Sequence, residues 1–368
     1  MKVAIDARAL STPYEHRGVG FYIKTLVKGL PEIAPDIDFV FFIGAETSED
    51  YVPELPNIEI RRIFRAPKYV FAQDVLGLPL EILRSKASIF HCPVALGPLR
   101  DINLPWFSPV PVIATVHDLH VESLEDPVME AYRKEFRYKF QRWVVKKTRI
   151  ITVSEYTRKQ LANNGIMDKE KIQVIPNCIR KGEEIKENKE DLVLFIGDTA
   201  HKNTAAALGT FLNLSSILPA WRFIMVGSKE RIYALAGREA KALQAANILQ
   251  IEENVPDIIM EGLFAKAKIL FMPSLSEGFG VPVLQAFLHG ACAVISDRGS
   301  LPEVGADAAV YVNPMDVGEM VSTLEGLIKN ESLQNTIIER GHRRALKYSW
   351  TEHLGRLADF YRETAKNA

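Results

Sequence analysis

The chain is poor in cysteine. Only three occur among 368 residues, Cys92, Cys178 and Cys292, and they are far apart and odd in number. Such a set is not a disulfide framework, and no C-x-x-C pair indicates a zinc site. A reducing compartment, the cytoplasm, fits this cysteine usage best.

Long apolar runs and an excess of one charge are missing as well. No run approaches the roughly 20 residues of a membrane-spanning helix, so any membrane contact is expected to be peripheral. The N-terminal sequence "MKVAIDARAL" lacks the basic start, apolar centre and cleavage site of a signal peptide. The formal net charge is −1, which by itself argues neither for nor against nucleic acid. No nucleic-acid-binding motif accompanies the basic residues, so no nucleic acid partner is expected. No cluster of metal-ligating side chains appears, so no metal is expected.

What the chain does contain is a succession of short apolar, β-branched runs separated by longer helical patterns. Near-continuous apolar strands that alternate with helices indicate parallel sheets covered on both faces. A length of 368 residues exceeds one ordinary core and favours two domains. The predicted strands span 2–6, 39–43, 58–63, 88–92, 112–116, 149–153, 172–175, 192–197, 222–226, 248–251, 268–272, 292–295 and 309–312.

A polar, charged stretch divides these strands into two sets and is the predicted linker, 181–191. The sequence thus predicts two doubly wound, Rossmann-like domains, 1–180 and 192–345, that face each other across a cleft. Ligands of such sheets bind beyond the carboxyl ends of the strands. Residues 346–368 are expected to form a helix that packs back on the N-terminal domain. Its apolar stripe consists of Trp350, Leu354, Leu357 and Tyr361.

One segment after a predicted strand combines a glycine loop with a helix start: "PSLSEGFGVPVLQAFLH", residues 273–289. Pro282 suits the first turn of a helix, and Gly290 suits the position that follows its end. The helix is therefore predicted from Val281 to His289. Its free N–H groups, which point toward Phe279 and Gly280, form an anion site.

The loop before this helix adds a carboxylate to the anion site. Gly278 and Gly280 let a ligand approach the backbone closely, whereas Glu277 would repel a phosphate and is expected to bind neutral hydroxyl groups. Phosphate together with hydroxyls suggests a sugar phosphate or a nucleotide sugar. The alternative is a plain strand–loop–helix joint with a solvated Glu277.

The segment 273–304, "PSLSEGFGVPVLQAFLHGACAVISDRGSLPEV", resembles the nucleotide-sugar segment of the family 4 (group 1) retaining glycosyltransferases, which have the two-domain GT-B fold. The resemblance extends over nearly the whole chain, because further motifs agree in order. They are "RGVGFY", "VHDLH", "ITVSEYTRKQL", "VIPN", "GDTAHKN" and the terminal "YSWTEHL".

The resemblance assigns roles to residues of the glycine loop and its helix. It implies that Glu277 contacts hydroxyls of the donor sugar and that the amides of Phe279 and Gly280 approach the diphosphate. The family pattern has a second Glu, which holds the ribose, at the position of Gln285. A neutral Gln accepts one hydrogen bond less strongly than a carboxylate does. We therefore expect Gln285 to contact the ribose with a loss on the order of 1 kcal/mol.

The resemblance also implies a cationic loop after the strand 192–197. The family brings an Arg and a Lys to the diphosphate there; Lys202 matches the Lys, whereas no Arg is present between Gly197 and Lys202. His201 precedes Lys202 and either assists it when protonated or has no role.

In the first half, the resemblance implies contacts in two loops. Gly18 and Gly20 follow the first strand, and backbone amides there are expected to approach the donor phosphate. His117 follows the strand 112–116, where the family places a His beside the donor sugar. Histidine also changes charge near neutral pH, so His117 is expected in the active site together with Lys202 and Glu277.

The stretch 132–149 has eight basic residues, one acidic residue and five aromatic residues. Four of the aromatic side chains share one helical face. Packing of this face under the neighbouring strands is the favoured interpretation; the alternative is a basic amphipathic surface for an anionic membrane or a lipid-linked acceptor. The four residues are Tyr132, Phe136, Phe140 and Trp143.

The expected activity is transfer of a sugar from a UDP-, GDP- or dTDP-sugar to a hydroxyl of a glycan, glycolipid or small molecule. The resemblance implies retention of the anomeric configuration and no need for a metal or another cofactor. Two alternatives remain, a non-catalytic subunit that binds nucleotide sugars and a nucleotide-sugar epimerase of the same fold.

Overall fold

The protein is described by a computed structural model in which the chain divides into two compact units. The first unit consists of Met1–Cys178 and Trp350–Ala368, and the second of Ile179–Ser349. The chain therefore leaves the first unit once and returns to it with its last helix. The structure describes residues 1–45, 47–49, 51–64, 67–97, 103–123, 127–180 and 187–367.

The first unit is built on a parallel sheet of seven strands in the order β3-β2-β1-β4-β5-β6-β7. The central strands β1, β4 and β5 are buried apart from the first residues of β1 and β5, as expected for strands with helices on both faces of the sheet. The strands are β1 Lys2–Asp6, β2 Asp38–Gly44, β3 Ile58–Ile63, β4 Ile89–Cys92, β5 Val112–Val116, β6 Arg149–Thr152 and β7 Ile172–Val174.

Eight α-helices accompany this sheet within the described residues. The last of them, α15, belongs to the C-terminal segment, and Leu354, Leu357 and Tyr361 of that helix lie in the core of the first unit. The helices are α1 Gly18–Ile33, α2 Val70–Ala72, α3 Leu78–Ser85, α4 His120–Ser123, α5 Pro127–Lys134, α6 Phe136–Val145, α7 Glu155–Asn163 and α15 Trp350–Lys366.

The second unit has a parallel sheet of six strands in the order β10-β9-β8-β11-β12-β13. Its strands are β8 Glu190–Ile196, β9 Arg222–Val226, β10 Leu249–Glu252, β11 Ala267–Met272, β12 Cys292–Ser296 and β13 Ala309–Val312. Its helices in the described part of the chain are α8 Thr204–Ile217, α9 Lys229–Ala245, α10 Asp257–Lys266, α11 Val281–Leu288, α12 Leu301–Gly305, α13 Val317–Ile328 and α14 Glu331–Ala345.

All thirteen strands predicted from the sequence are present, each with ends within two residues of the prediction. The predicted linker 181–191 is too long at its end. Glu190 pairs with Ala267 of β11, so β8 begins within the charged stretch. Residues 181–186 of the linker lie outside the described residues.

The interpretation of 132–149 as one helix packed by its aromatic face holds only in part, because Tyr132 and Phe140 pack in or against the core whereas Phe136 and Trp143 do not. The helix breaks at Glu135, whose backbone is extended (φ −63°, ψ 139°). The break separates the buried Tyr132 from the residues after it, and Phe136 and Trp143 are 72% and 45% exposed. Tyr138, Gln141, Val144 and Val145 of α6 are buried instead.

Each sheet has a point where the strand order reverses, between β1 and β4 in the first unit and between β8 and β11 in the second. Ligands of open parallel sheets bind beyond the carboxyl ends of the strands at such points. The loops that follow these four strands are therefore the places to look for a site. No helix in the described part of the chain is long and apolar enough to cross a bilayer.

Candidate functional site

An ion pair lies at the switch point of the second unit. Lys202 follows β8 and Glu277 follows β11, and the Lys202 Nζ donates to both carboxylate oxygens at 2.7 and 2.9 Å. Glu277 is buried, whereas the Lys202 side chain is 23% exposed. The structure thus joins two of the residues that the sequence predicted for the active site.

The Glu277 carboxyl is ionised despite its burial. Burial raises its pKa, but the Lys202 ammonium, the neighbouring His201 and the hydrogen bond from Lys202 together outweigh that effect and hold the pKa below its usual value. His201 therefore acts on Glu277 electrostatically. An ionised carboxylate with an ammonium on it can still accept hydrogen bonds from ligand hydroxyls.

The two loops that carry this pair are bonded to each other through the backbone. The Leu275 N–H donates to the His201 carbonyl at 2.8 Å, and the Asn203 side chain donates to the Pro273 carbonyl at 3.1 Å. A Cβ on Gly197 would lie 2.6 Å from the Lys202 Cβ, so only glycine at position 197 leaves room for the aliphatic part of the Lys202 side chain. The positions of both charges are thus set by the backbone.

The N-terminus of α11 is open to an anion. The N-cap residue Gly280 lies in the left-handed region (φ +101°), no side chain caps the helix, and no acidic residue occupies its first turn. The N-terminus of α9 is different, because Ser228 caps it and the carboxylates of Asp198 and Glu253 accept from its first amides. Helix amides left without a carboxylate of the chain's own are suited to a phosphate.

The other loop residues predicted from the sequence surround this helix start. Gly278 and Phe279 are buried, and the Phe279 ring packs edge-on against Tyr348, with centroids 5.7 Å apart. Gln285 is half-buried on α11, one turn and a half beyond Gly280. Sequence inspection missed Ser276, whose buried hydroxyl has no hydrogen-bond partner among the described residues. Buried hydroxyls are normally paired, so Ser276 is a further candidate ligand contact.

An arginine also reaches the loop that lacks one in sequence. Arg231 of α9 donates to Asp198 at 2.5 Å, and Asp198 also accepts from the Ser228 N–H at 2.9 Å. The aspartate therefore ties the start of α9 to the loop after β8. Sequence alone could not join these residues, because Arg231 comes from the next helix along the chain.

In the first unit, the two predicted glycines at the start of α1 differ. A Cβ on Gly20 would lie 2.1 Å from the Glu15 carbonyl oxygen, so the chain's own packing requires glycine there. A Cβ on Gly18 would meet no atom within 4 Å. The α1 N-terminus also has no side-chain cap and no acidic residue in its first turn. The structure thus gives Gly20 a packing role and leaves space at Gly18.

His117 lies at the carboxyl end of β5, as its place in the sequence indicates. Its Nε2 lies 2.8 Å from the Pro93 carbonyl, and Tyr22 packs edge-on against the ring with centroids 4.8 Å apart. Burial lowers the pKa of His117, partly offset by Pro93 and Asp118, so the imidazole is neutral near pH 7. Since a carbonyl can only accept, Nε2 carries the proton and Nδ1 is the acceptor nitrogen.

A buried ion cluster fills the first unit's switch point. Arg8 donates to Asp6 at 2.6 and 2.7 Å and to Asp74 at 2.7 Å, and all three side chains are almost fully buried. Asp74 also accepts from the backbone and side chain of Asn103. With every charge paired inside the fold, the cluster fixes the loops around β1 and is not a ligand site.

Within the described residues, no group of three or more histidine, cysteine or acidic side chains is placed to hold a metal ion. Lys202, Glu277, His201 and the start of α11 are together in the second unit. Gly18 and His117 belong to the first unit, where Tyr22 lies one turn after Gly18 and contacts His117.

Comparison with known proteins agrees with this arrangement. The model of glycosyl transferases group 1 matches residues 179–344, and that of glycosyltransferase family 4 matches residues 16–181. Sucrose-phosphate synthase from Thermosynechococcus elongatus superposes with a TM-score of 0.79 at 14% identity and covers 100% of both chains. HepE of Anabaena, solved with UDP and glucose, gives a TM-score of 0.76 at 14% identity over 99% of this chain and 100% of its own.

Curated relatives match parts of the chain. The O-antigen chain mannosyltransferase RfbU of Salmonella typhimurium is 26% identical over 58% of this chain and 60% of its own length. The O-antigen chain mannosyltransferase B of Escherichia coli is 35% identical over 26% of this chain and 25% of its own. The matches thus span less than two thirds of these relatives.

The two parallel-sheet α/β units and the structural neighbours give the chain the GT-B fold. The chain belongs to the group 1 glycosyltransferases of family 4.

Proposed function

We propose that this protein transfers a sugar from a nucleoside diphosphate to an acceptor hydroxyl, with retention of the anomeric configuration. The observation that carries the proposal is the Lys202–Glu277 pair beside the uncapped start of α11, at the second unit's switch point. One such site offers a cation and free amides for a diphosphate and a carboxylate for sugar hydroxyls.

The proposed chemistry relies on stabilisation of the leaving diphosphate. Lys202 and the amides at Phe279 and Gly280 receive the charge that develops as the bond to the sugar breaks, with the amides at Gly18 as a further contact. Because Glu277 already binds Lys202, both side chains are oriented before the donor arrives, which limits reorganisation in the transition state.

The other groups orient the sugar and the nucleotide. Glu277 accepts from sugar hydroxyls, the Nδ1 of His117 accepts from one more, and Gln285 accepts from the ribose. The acceptor oxygen attacks the face that the diphosphate leaves, and the departing phosphate oxygen takes the acceptor's proton. No enzyme carboxylate forms a bond to the sugar in this scheme, and neither a metal ion nor another cofactor takes part.

Mannose is the sugar we propose, because several relatives are named as mannosyltransferases. The acceptor is a glycan, a glycolipid or a small molecule in the cytoplasm. The solved complex of HepE with UDP-glucose supports a nucleotide-sugar donor at this fold.

The test is incubation of the pure protein with GDP-, UDP-, ADP- and dTDP-sugars, with and without a chelator, followed by measurement of donor loss and of nucleotide release. Donor consumption that survives the chelator, and a product with the donor's anomeric configuration by NMR, are expected. Binding without turnover for every donor and acceptor would instead favour a non-catalytic subunit, whereas conversion of the sugar on its nucleotide would favour an epimerase.

We also propose that the first unit contacts an anionic membrane through 132–149. Phe136 and Trp143 are exposed; Phe140 stacks with Phe136 at a centroid distance of 6.0 Å, and Phe71 packs edge-on against Phe136 at 6.4 Å. Around these rings, the exposed cations Lys139, Lys146 and Lys147 have no ion-pair partner among the described residues. Exposed aromatic rings inside a basic surface are typical of interfacial binding.

Vesicle sedimentation tests the membrane contact. Wild-type protein is expected to bind vesicles that contain anionic lipid and to ignore zwitterionic ones. Phe136→Ser with Trp143→Ser is expected to lose the binding, whereas Ile258→Ser, an exposed apolar site of the second unit, retains it. Equal sedimentation of all three proteins would overturn this contact and leave the transferase proposal untouched.

A further inference from the structure

A chain of buried hydrogen bonds crosses the first unit beneath His117. His91 of β4 is fully buried, and its two ring nitrogens lie 2.6 Å from the Tyr361 hydroxyl and 2.8 Å from the Thr115 hydroxyl. Both ring nitrogens are therefore paired, and the imidazole has one permitted orientation. The chain joins the C-terminal helix α15 to the central strands β4 and β5.

The next member of this chain contacts the candidate site. The Tyr22 hydroxyl lies 3.2 Å from the same Thr115 hydroxyl, and its ring packs at 81° against His117. Tyr22 stands on α1, one turn after Gly18. The hydroxyl bond therefore sets where the Tyr22 ring lies, and the ring sets one side of the His117 pocket.

A backbone carbonyl holds the His117 ring, and a threonine hydroxyl holds the His117 backbone. The His117 Nε2–H donates to the Pro93 carbonyl, and the Thr157 hydroxyl donates to the backbone carbonyl of His117 at 3.2 Å. With Nε2 held by Pro93, the imidazole can still rotate about this hydrogen bond, and the Tyr22 ring packed against it limits that rotation. Nδ1 is the nitrogen whose direction the ring contact determines.

Every member of the chain is neutral across the ordinary pH range. Burial, with a contribution from His117, lowers the pKa of His91 to about 3, and burial raises the pKa values of Tyr22 and Tyr361 above that of free tyrosine. Neutral donors and acceptors in a dry interior depend on geometry, because each lost partner leaves an unsatisfied group.

Tyr361 is fully buried in the core of the first unit. Its helix lies tightly on α1, where a Cβ on Gly29 would come within 2.3 Å of the Leu354 Cδ1 and 2.8 Å of the Trp350 ring. The close packing of α15 on α1 holds Tyr361 next to β4, where its hydroxyl meets His91.

We propose that Tyr361, through His91, Thr115 and Tyr22, orients the Nδ1 of His117 toward the donor sugar. The helix α15, which carries Tyr361, thereby completes the candidate site of the first unit. This inference rests on the proposed function for its catalytic consequence. Tyr22 and Tyr361 are positioning residues, because the contacts described for them are with other side chains of the protein.

Histidine NMR tests the positioning without any need for activity. Protein labelled with ¹⁵N-histidine is compared as wild type, Tyr361→Phe, Tyr22→Phe and Tyr132→Phe, with His117→Ala to assign the His117 signals. Tyr132 is the matched control. It is a buried tyrosine of the same unit, and its hydroxyl donates to the Gly97 carbonyl, which takes no part in the hydrogen-bond series from Tyr361 to Tyr22. Shifted His117 signals are expected in the first two variants and unshifted ones in the control. Coincident His117 signals in all of these proteins would overturn the proposal.

Transfer kinetics test the consequence. Tyr361→Phe and Tyr22→Phe are each expected to lower kcat about 3- to 10-fold with little change in donor KM, and to lower it no further in a His117→Ala background. Additive losses in that background, or an unchanged kcat despite shifted signals, would contradict the proposal. If wild-type protein transfers no sugar, the transferase proposal fails, whereas the NMR comparison still decides the positioning.

Discussion

In the second unit, Lys202 and Glu277 hold each other as ions, whereas in the first unit His117 is held in neutral form by a carbonyl and an aromatic ring. We propose that the ions bind the diphosphate and the sugar hydroxyls, and that the neutral imidazole accepts a hydrogen bond from the sugar. Loss of Lys202 leaves the Glu277 carboxylate buried and uncompensated. Loss of one neutral partner costs a single hydrogen bond. The two halves should therefore fail differently.

Lys202→Met should give the largest effect. We expect transfer to fall by about 100-fold or more, because the leaving diphosphate loses its fixed cation. We also expect the free energy of unfolding to fall by about 1–3 kcal/mol, because the buried Glu277 carboxylate loses its partner. Steady-state kinetics and chemical denaturation measure the two quantities.

Two further variants sharpen this result. Lys268→Met removes the lysine of the exposed pair with Asp191 and should change neither quantity appreciably. Lys202→Met with Glu277→Gln should recover stability but not transfer, because the buried charge has gone as well. Near-normal turnover of Lys202→Met would sink the site assignment.

A pair of glycine variants compares packing with ligand space in the first unit. Gly20→Ala should lower the free energy of unfolding by about 1–3 kcal/mol, because its methyl meets the Glu15 carbonyl. Gly18→Ala should stay within about 0.5 kcal/mol of wild type yet bind donor several-fold more weakly. Denaturation and donor titration check both, and equal stability of the variants would contradict the assignment.

The pH dependence of stability separates the two units. His91 has a pKa of about 3 in the folded protein against an ordinary 6.5, so the unfolded chain binds its proton first as the pH falls. The stability that depends on neutral His91 is therefore lost as the pH falls from about 6.5 toward 3. The pKa of Glu277 is also lowered from 4.5, so its contribution disappears only below that pH.

His91→Gln should consequently weaken the fall in the free energy of unfolding that occurs as the pH is lowered below about 6.5. Its stability deficit relative to wild type should shrink by about 2 kcal/mol between pH about 7 and about 5; the contribution of Glu277 is common to both proteins and cancels from this difference. Urea denaturation at the two pH values measures the change. A deficit that does not vary with pH would mean that His91 is not the buried neutral group described.

Gln285→Glu should give the smallest effect, a donor affinity raised about fivefold by roughly 1 kcal/mol of charge-assisted bonding to the ribose. Titration with donor and with the free sugar phosphate lacking the nucleoside isolates the ribose contribution. An unchanged donor affinity would remove Gln285 from the ribose site.

Strands and the glycine loop could be predicted because their causes are local. Apolar runs predicted β8 and β11, and Pro282 with the flanking glycines predicted α11. The family resemblance added the pairing of Lys202 and Glu277 with one ligand, and the structure shows them in direct contact. The positions of these charges follow from parallel strands whose carboxyl ends share one edge.

What the sequence could not predict depends on partners distant along the chain. The Arg231–Asp198 bond joins two loops, and His91 meets Tyr361 across 270 positions. The helix break at Glu135 was missed because the aromatic spacing is continuous through it. No local pattern reveals that a side chain at position 20 would clash with the Glu15 carbonyl, whereas a side chain at position 18 would meet no atom.

The return of α15 to the first unit has a consequence for biosynthesis. A ribosome delivers the first unit's seven strands early, yet the unit's core lacks Leu354, Leu357 and Tyr361 until the final helix emerges. Domains usually fold as they are made, N-terminal first. The core around the seven strands therefore stays incomplete, with one face of α1 uncovered, while the second unit is synthesised, so a core whose strands are translated before the second unit is completed only after it.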